Sequence, residues 1–336
     1  MFNKAKYLIS RIANMNYKQF FDNVKIVKSR TGRNSVLIFL DMVICGLKYS
    51  AGYMDYVVFE FYNLKGSERK TYITRGINNR IVSKSNDKAS WYKFENKVIF
   101  NQIFYEFIKR DYIDLSTSSP EQFKEFLNGK TAVIAKPIDE TCGRGVEKFT
   151  TPDFDDYKSL YDRLVKNGQK LVEDFVVQHD DLNRLYPGSV NTLRLVTLLD
   201  SNNVPHIIFC GIRIGNGGIV DNINNGGMAS VIDIKTGIIK KPGADKNGDT
   251  FIKHPVTNTE IVGFKIPMFD EAVKMVLKAA LVVPEIRYAA WDVSISDKGP
   301  LLIEGNHFPG HDIYQFSVHM DSKIGLLPRF KEVIDI

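Results

Sequence analysis

Residues 291–306 read Trp291-Asp-Val-Ser-Ile-Ser-Asp-Lys-Gly-Pro-Leu-Leu-Ile-Glu-Gly-Asn306. Two apolar runs, Trp291-Asp-Val-Ser-Ile295 and Pro300-Leu-Leu-Ile-Glu304, flank Ser296-Asp-Lys-Gly299, which has turn composition, so the stretch predicts a β-hairpin. Side chains on a strand alternate with a period of two, which puts Glu304 and Asn306 on one face, and the hairpin brings Asp292 beside them. Three hard oxygen donors grouped in this way suit Mg²⁺, an ion that keeps its other positions for waters and phosphate oxygens. Taken alone the spacing is weak, because two acids and an asparagine on a hairpin arise often by chance.

Upstream of the hairpin the chain alternates short apolar runs with turns. Thr131-Ala-Val-Ile-Ala135, Gln169–Val177, Leu193–Leu199, His206–Ile214 and Ser230–Ile234 read as strands, and Met268–Leu281 as an amphipathic helix ended by Pro284. Val98, Phe100, Ile103, Phe104, Phe107 and Ile108 predict one helix over 95–110, and Ser118-Ser-Pro120 starts another. The fold class expected is α+β with mainly antiparallel pairing. In Ala135-Lys-Pro-Ile-Asp-Glu-Thr-Cys-Gly-Arg-Gly-Val146, a lysine at a strand end precedes a loop with two spaced glycines. Such a loop offers a cation and bare N–H groups to a polyphosphate. It is neither a P-loop nor a GxGxxG dinucleotide turn, and a plain glycine turn is the alternative. The acids in Leu171-Val-Glu-Asp-Phe-Val-Val-Gln178 face solvent by default. They read alternatively as a hinge strand whose backbone meets an adenine edge while Glu173 accepts from the amino group.

Taken in order, these strings resemble the ATP-grasp superfamily, and its sugar-transfer-associated branch in wording. The matching residues are Asn96-Lys97, Ala135-Lys-Pro137, Cys142-Gly-Arg-Gly-Val146, Val172-Glu-Asp-Phe175, Ser189-Val-Asn-Thr-Leu-Arg194, Trp291-Asp-Val293, Leu302-Ile-Glu-Gly-Asn306 and Pro309-Gly310, spanning about 95–315. The resemblance implies two α+β subdomains gripping ATP, placed at 95–177 and 178–336, behind a basic helical and β extension at 1–94. It implies that Lys97 and Lys136 contact the ATP phosphates under a loop containing Gly143, Arg144 and Gly145. Glu173, with the backbone at Phe175 and Val176, would hold the adenine, and Asp180 or Asp181 the ribose. Asp292, Glu304 and Asn306 match the metal ligands, with Glu304 bridging two Mg²⁺ ions. Many ATP-grasp ligases carry an arginine two residues before the first metal acid; Ala290 stands there in this chain. The arginines expected at the carboxylate and oxyanion are therefore Arg194, Arg213 and, less directly, Arg287. Asn222, Asn224, Gly226 and Gly227 would shape the acceptor pocket.

The chemistry implied is phosphoryl transfer from ATP to a carboxylate, then attack of an amine on the acylphosphate to give an amide, ADP and phosphate. It needs no protein nucleophile, and none of the Ser/His or Cys/His arrangements is evident. The substrates expected are a small carboxylate and an amine, sugar-derived by the resemblance, in surface-polysaccharide or envelope metabolism. Two other classes fit the same strings: a kinase acting on a sugar or small-molecule hydroxyl, and a nucleotide-binding assembly factor without turnover. His254, His307, His311 and His319 are read as non-ligands, since imidazole is a poor partner for Mg²⁺.

The 336 residues carry 45 Lys and Arg against 39 Asp and Glu, a net charge of +6. The balance is uneven, because residues 1–100 hold 18 basic and 7 acidic side chains. Residues 1–33 have apolar positions at helical spacing among their cations and predict either a solvated basic helix or a cationic amphipathic surface. Its partner would be an anionic membrane or a membrane-bound glycan enzyme. Nucleic acid is disfavoured, because no groove-reading motif accompanies the basic residues. Val36–Leu47 is the most apolar run, too short for a bilayer span of ~20 residues, and predicts a buried helix. Tyr53–Thr74 looks extended, with a turn at Gly66-Ser67. Three scattered cysteines, Cys45, Cys142 and Cys210, fit a reducing cytoplasm and no zinc site.

Overall fold

A computed structural model of the chain describes residues 15–140, 143–218, 221–223 and 226–336. Cys142, Asn224 and the cations Lys4, Lys6 and Arg11 lie outside the described residues. The chain divides into two compact units, one of residues 1–80 with 311–328, the other of 81–310 with 329–336.

In its described part the first unit is helical. Helix α1 (Tyr17–Thr31) is capped by Asn16, whose side chain accepts from the Gln19 N–H, and ends at Gly32 in the left-handed conformation. Helix α2 (Ser35–Tyr49) starts on an Asn34 cap and covers the predicted apolar run. The expected strands over 53–74 are instead the short helices α3 (Tyr53–Val58) and α4 (Gly66–Arg69). Side-chain capping overrides their β-like composition. The Asp55 carboxylate accepts from the Gly52 N–H at 2.7 Å and from the Arg75 N–H at 2.8 Å, and Glu68 accepts from the Lys65 N–H at 2.6 Å. The aromatics that read as strand formers, Tyr56, Phe59, Phe61 and Tyr72, bury together with Val27, Ile38, Met42 and Cys45 in one core. The single acid in the apolar run, Asp41, is satisfied there by a two-pronged pair with Arg69 at 2.7 and 2.8 Å and by the Tyr56 hydroxyl at 2.7 Å. Helix α2 is buried on that side only, and its opposite face is open, which corrects the expectation of a buried helix.

The second unit holds two antiparallel sheets. The smaller has the order β1 (Tyr112–Asp114), β4 (Leu171–Asp174), β2 (Ala132–Lys136), β3 (Glu147–Thr150). Helices Pro120–Leu127 and Tyr157–Lys166 cover it, through Phe123, Leu127, Leu160 and Leu164 on Val133, Ala135 and Val172. The predicted strand over 169–177 is thus only its central four residues. The larger sheet runs β11 (Gly299–Asn306), β10 (Tyr288–Ser296), β5 (Leu193–Leu199), β6 (Pro205–Ile214), β7 (Met228–Val231), then two short edge strands. Every residue of β10 is buried, so Asp292 sits in a strand that otherwise belongs to the core. The helix predicted over 95–110 is three short pieces, Tyr92–Glu95, Lys97–Ile103 and Tyr105–Ile108. Phe94 and Phe104 pack on Trp291 with ring centres 5.6 and 5.4 Å away, Phe100 packs on both of them, and the aromatic cluster bends the chain where one straight helix was expected.

Candidate active site

The hairpin forms as the sequence predicts, and its register makes the site. Asp292 on β10 lies directly opposite Glu304 on β11, and Ala290 opposite Asn306. The pairing slips between Asp292 and Val293, so a bulge accommodates the two facing carboxyls. On its other side β10 pairs with β5, which sets Arg194 opposite Asp292, and Arg213 reaches in from β6. Arg194 Nε is 2.8 Å from Asp292 Oδ1, and Arg213 Nη2 donates to Asp292 Oδ2 at 2.6 Å. Two arginines from the neighbouring strands thus stand at Asp292, while Arg287 turns away to donate to Asn203.

Electrostatics follow from this packing. Burial pushes Asp292 up to about 7 against the pull of Arg194 and Arg213, with Glu304 adding to the rise. Burial also opposes ionisation of Glu304, yet a hydrogen bond from Asp292 and the charges of Arg213, Arg194 and Lys136 hold it below the usual carboxylate range. Burial and mutual repulsion thus work against ionising both carboxyls, and a divalent cation between them would favour the ionised forms. Arg213 is kept charged, because Asp221, Asp292 and Glu304 outweigh the cost of burying it.

Glu173 and Lys136 form the second group, on adjacent strands of the smaller sheet. Lys136 Nζ is 2.6 Å from Glu173 Oε2, and Oε1 accepts from Asn101 at 2.7 Å and Arg110 at 3.1 Å. Arg110 also donates to the Leu302 and Ile303 carbonyls of β11, tying this strand to the metal hairpin. Burial works against the Glu173 charge, but Arg110 and Lys136 overcome it and hold the carboxyl down at about 2. Three of its four lone-pair sites are used, leaving one at most for an adenine amino group. Its 2.6 Å pair with Lys136 holds that lysine at the end of β2.

Lys97 opens its helix beside the glycine-rich loop, where its Nζ donates to the carbonyls of Ile138 and Glu140. Burial lowers its pKa, and Glu304, Lys136 and Glu173 are among the charges it feels, so it belongs to the same cluster. Gly143 and Gly145 both have positive φ, at 72° and 67°, and a Cβ on Gly145 would lie 2.9 Å from Pro137. Arg144 is exposed, 3.9 Å from Glu140. Phe175 is half-buried with Lys148 Nζ 3.7 Å from its ring centre, and Val176 follows it, also half-buried.

Asp180 and Asp181 begin a short helix, Asp180–Leu185. Asp180 is exposed beside Asn183, whereas Asp181 lines a depression of about 550 Å³ with Arg184, Glu260 and Lys265 that contains none of the residues above. Among the acceptor-pocket residues, Asn222 accepts from the Gly227 N–H at 3.2 Å, and Gly226 donates to Ile223. A Cβ on Gly227 would fall 2.4 Å from the Asp221 carbonyl, so glycine is required there.

Sequence reasoning missed Asn101, Arg110, Thr192 and Asp221. Asp221 accepts from the Thr192 N–H at 2.8 Å and stands 3.7 Å from Arg213, which itself donates to the Thr192 hydroxyl. Thr192 lay inside the Ser189–Arg194 string and Asp221 inside the Gly215–Gly227 segment, so position alone could have flagged both. Arg110 carries no local signal, since its partners are 63 and about 190 residues away.

The donor set fits the magnesium that the resemblance implies. Glu304 is half-buried, and the Asn306 amide has a buried nitrogen without a protein partner, so nothing in the protein fixes its orientation. Asp292 is the buried member, held by the two arginines. No group of three His, Cys, Asp or Glu that could hold a metal occurs among the described residues; the hairpin offers two acids and one amide. The family described as sugar-transfer associated ATP-grasp matches residues 76–334. The chain belongs to that ATP-grasp family.

Among solved structures, the ATP-grasp ligase PsnB, complexed with a phosphomimetic variant of its minimal precursor, Mg and ADP, aligns with a TM-score of 0.44. Identity is 12% over 79% of this chain and 68% of that one. The D-alanine–D-alanine ligase from Bacillus anthracis gives 0.43 at 14% identity, over 83% of each chain. D-alanyl-alanine synthetase A from Vibrio cholerae O1 biovar eltor str. N16961 gives 0.40 at 11%, over 72% of this chain and 61% of that one. No curated protein matches the chain. At such identities the roles of individual residues in this ATP-grasp protein rest on its own geometry.

Proposed function

We propose that the chain is an ATP-dependent carboxylate–amine ligase that forms an amide with release of ADP and phosphate. The observation that carries the reading is the row of side chains across four strands, Glu304, Asp292, Arg194 and Arg213, joined through Arg110 to Lys136 and Glu173. Lys97 and Lys136 neutralise the polyphosphate while the N–H groups of the Gly143–Gly145 loop close on it. Phe175 and Val176 face the adenine, and Asp180, free of the depression that takes Asp181, accepts from the ribose. Asp292, Glu304 and Asn306 would hold Mg²⁺, as two ions by the family resemblance. When bound, the metal draws charge from the γ-phosphate.

Arg194 and Arg213 bind the acceptor carboxylate and then the oxyanion that forms as the amine attacks. A guanidinium has five N–H donors, more than the contacts to Asp292 and Thr192 consume. Asp221 fixes Arg213 from behind, and Asn222, Gly226 and Gly227 border the pocket for the acceptor. The substrates are a small acid and an amine, taken as sugar-derived because of the family's association with sugar transfer. The test is to incubate the protein with ATP, Mg²⁺ and paired panels of sugar acids and amines, then to read ADP, phosphate and product mass. An amide accompanied by equal ADP and phosphate is expected. A phosphorylated hydroxyl product without free phosphate would instead establish a kinase.

A further inference from the structure

Helix α2 has two apolar stripes on opposite sides. Ile38, Met42, Cys45 and Tyr49 form one, and they lie in the core of the first unit. Val36, Leu40, Val43 and Leu47 form the other at the same spacing, about half a turn away, with Leu37, Phe39 and Ile44 widening it. No described residue of the unit covers this second face: Leu37 is 65% exposed, Leu40 48%, Ile44 51% and Leu47 57%. It carries no charged residue. A soluble helix normally turns polar groups outward, and a contiguous apolar face of this kind marks a contact site.

The surroundings of the face identify what it meets. Phe21 of α1 stacks on Phe39 of α2 with centroids 6.2 Å apart and planes 12° from parallel, so the apolar surface continues onto α1. There Phe21, Lys25 and Lys28 share one side at i, i+4 and i+7. From Tyr17 to Tyr49 the chain holds Lys18, Lys25, Lys28, Arg30, Arg33 and Lys48 against Asp22 and Asp41; Asp41 is spent on Arg69, Asp22 lies 3.2 Å from Lys25, and Arg33 donates to the Tyr62 carbonyl. An apolar face rimmed by cations complements an anionic lipid headgroup layer over hydrocarbon. A second copy would set like charges against each other. Spanning is excluded for this helix: no helix among the described residues is long and apolar enough to cross a membrane. Fifteen residues reach about 22 Å against a hydrocarbon core of ~30 Å.

We propose that the α1–α2 hairpin docks the protein on an anionic bilayer, with α2 lying in the interface plane and its Val36–Leu47 face among the acyl chains. The sequence predicts such a surface on residues 1–33, of which 1–14 lie outside the described residues; the open apolar face runs along α2 and continues onto Phe21 of α1. The test is co-sedimentation of the full-length protein with phosphatidylcholine vesicles, with and without phosphatidylglycerol. Binding is expected only with phosphatidylglycerol, weakening as salt rises. It should fall at least about tenfold in Leu40→Glu/Ile44→Glu and by about tenfold in Lys25→Gln/Lys28→Gln. These side chains are exposed, so the thermal midpoint should hold. Leu37→Trp adds a readout that does not depend on loss: its emission should shift to the blue on phosphatidylglycerol vesicles. Three results would overturn the proposal: no binding, equal binding to neutral vesicles, or binding unaffected by the glutamates. A dimer in light scattering that the glutamates dissolve would do so as well, by assigning the face to a second copy.

Discussion

At the residue scale the decisive fact is that three buried or half-buried carboxylates stand among cations that more than one of them feels. Asp292 is gripped by Arg194 and Arg213, Glu304 faces it across the hairpin, and Glu173 pairs with Lys136. Glu304→Gln keeps the shape and removes the charge, so ATP turnover should drop at least about 100-fold with the thermal midpoint nearly unchanged. Full turnover in that variant would refute the metal assignment. Glu173 yields a pH prediction. Its folded value of about 2 lies below the ordinary 4.5, so the stability it contributes is present above about pH 4.5 and is lost as pH falls toward 2. That amounts to about 3 kcal/mol at neutral pH. Glu173→Gln should therefore be less stable at pH 7 and should show a flatter acid limb in denaturant titrations between pH 5 and 2. An unchanged acid limb would mean the carboxylate is not held by Arg110 and Lys136.

At the element scale the hairpin and the glycine-rich loop were legible because short-range rules govern them. Alternation plus a Ser-Asp-Lys-Gly turn located β10 and β11 to within a few residues, although neither the bulge at Asp292 nor Arg194 on the adjoining strand could be read that way. Elements whose conformation depends on tertiary packing were less legible. Residues 53–74 carry strand-forming aromatics yet fold as capped helical turns around a shared core, and 95–110 breaks where three phenylalanines gather beside Trp291. The loop allows a controlled comparison. Gly129 and Gly145 have similar positive φ, 74° and 67°, but a Cβ on Gly129 meets open space while one on Gly145 meets Pro137. Alanine at either position strains the backbone by about 1–2 kcal/mol. Only Gly145→Ala should raise the KM for ATP, by about tenfold, which corresponds to ~1.4 kcal/mol of lost loop closure. Equal KM effects at the two positions would separate the loop from nucleotide binding.

At the scale of the whole molecule, the uneven charge found in the sequence is divided between two units with different tasks. Lys18, Lys28 and Lys48 of α1 and α2 are exposed near an open apolar face in the first unit, whereas Lys97, Lys136, Arg110, Arg194 and Arg213 of the second are spent on named carboxylates and carbonyls. Composition could register the imbalance but not this division, because it depends on which side of α2 the core covers. The central claim is that the second unit joins an acid to an amine through an acylphosphate, and positional isotope exchange tests it most directly. With ATP carrying ¹⁸O in the β,γ-bridge, Mg²⁺ and the acid but no amine, the label should scramble into the β-nonbridging positions, and Glu304→Gln should abolish the scrambling. Amide formation with no scrambling, and with AMP rather than ADP released, would contradict the account.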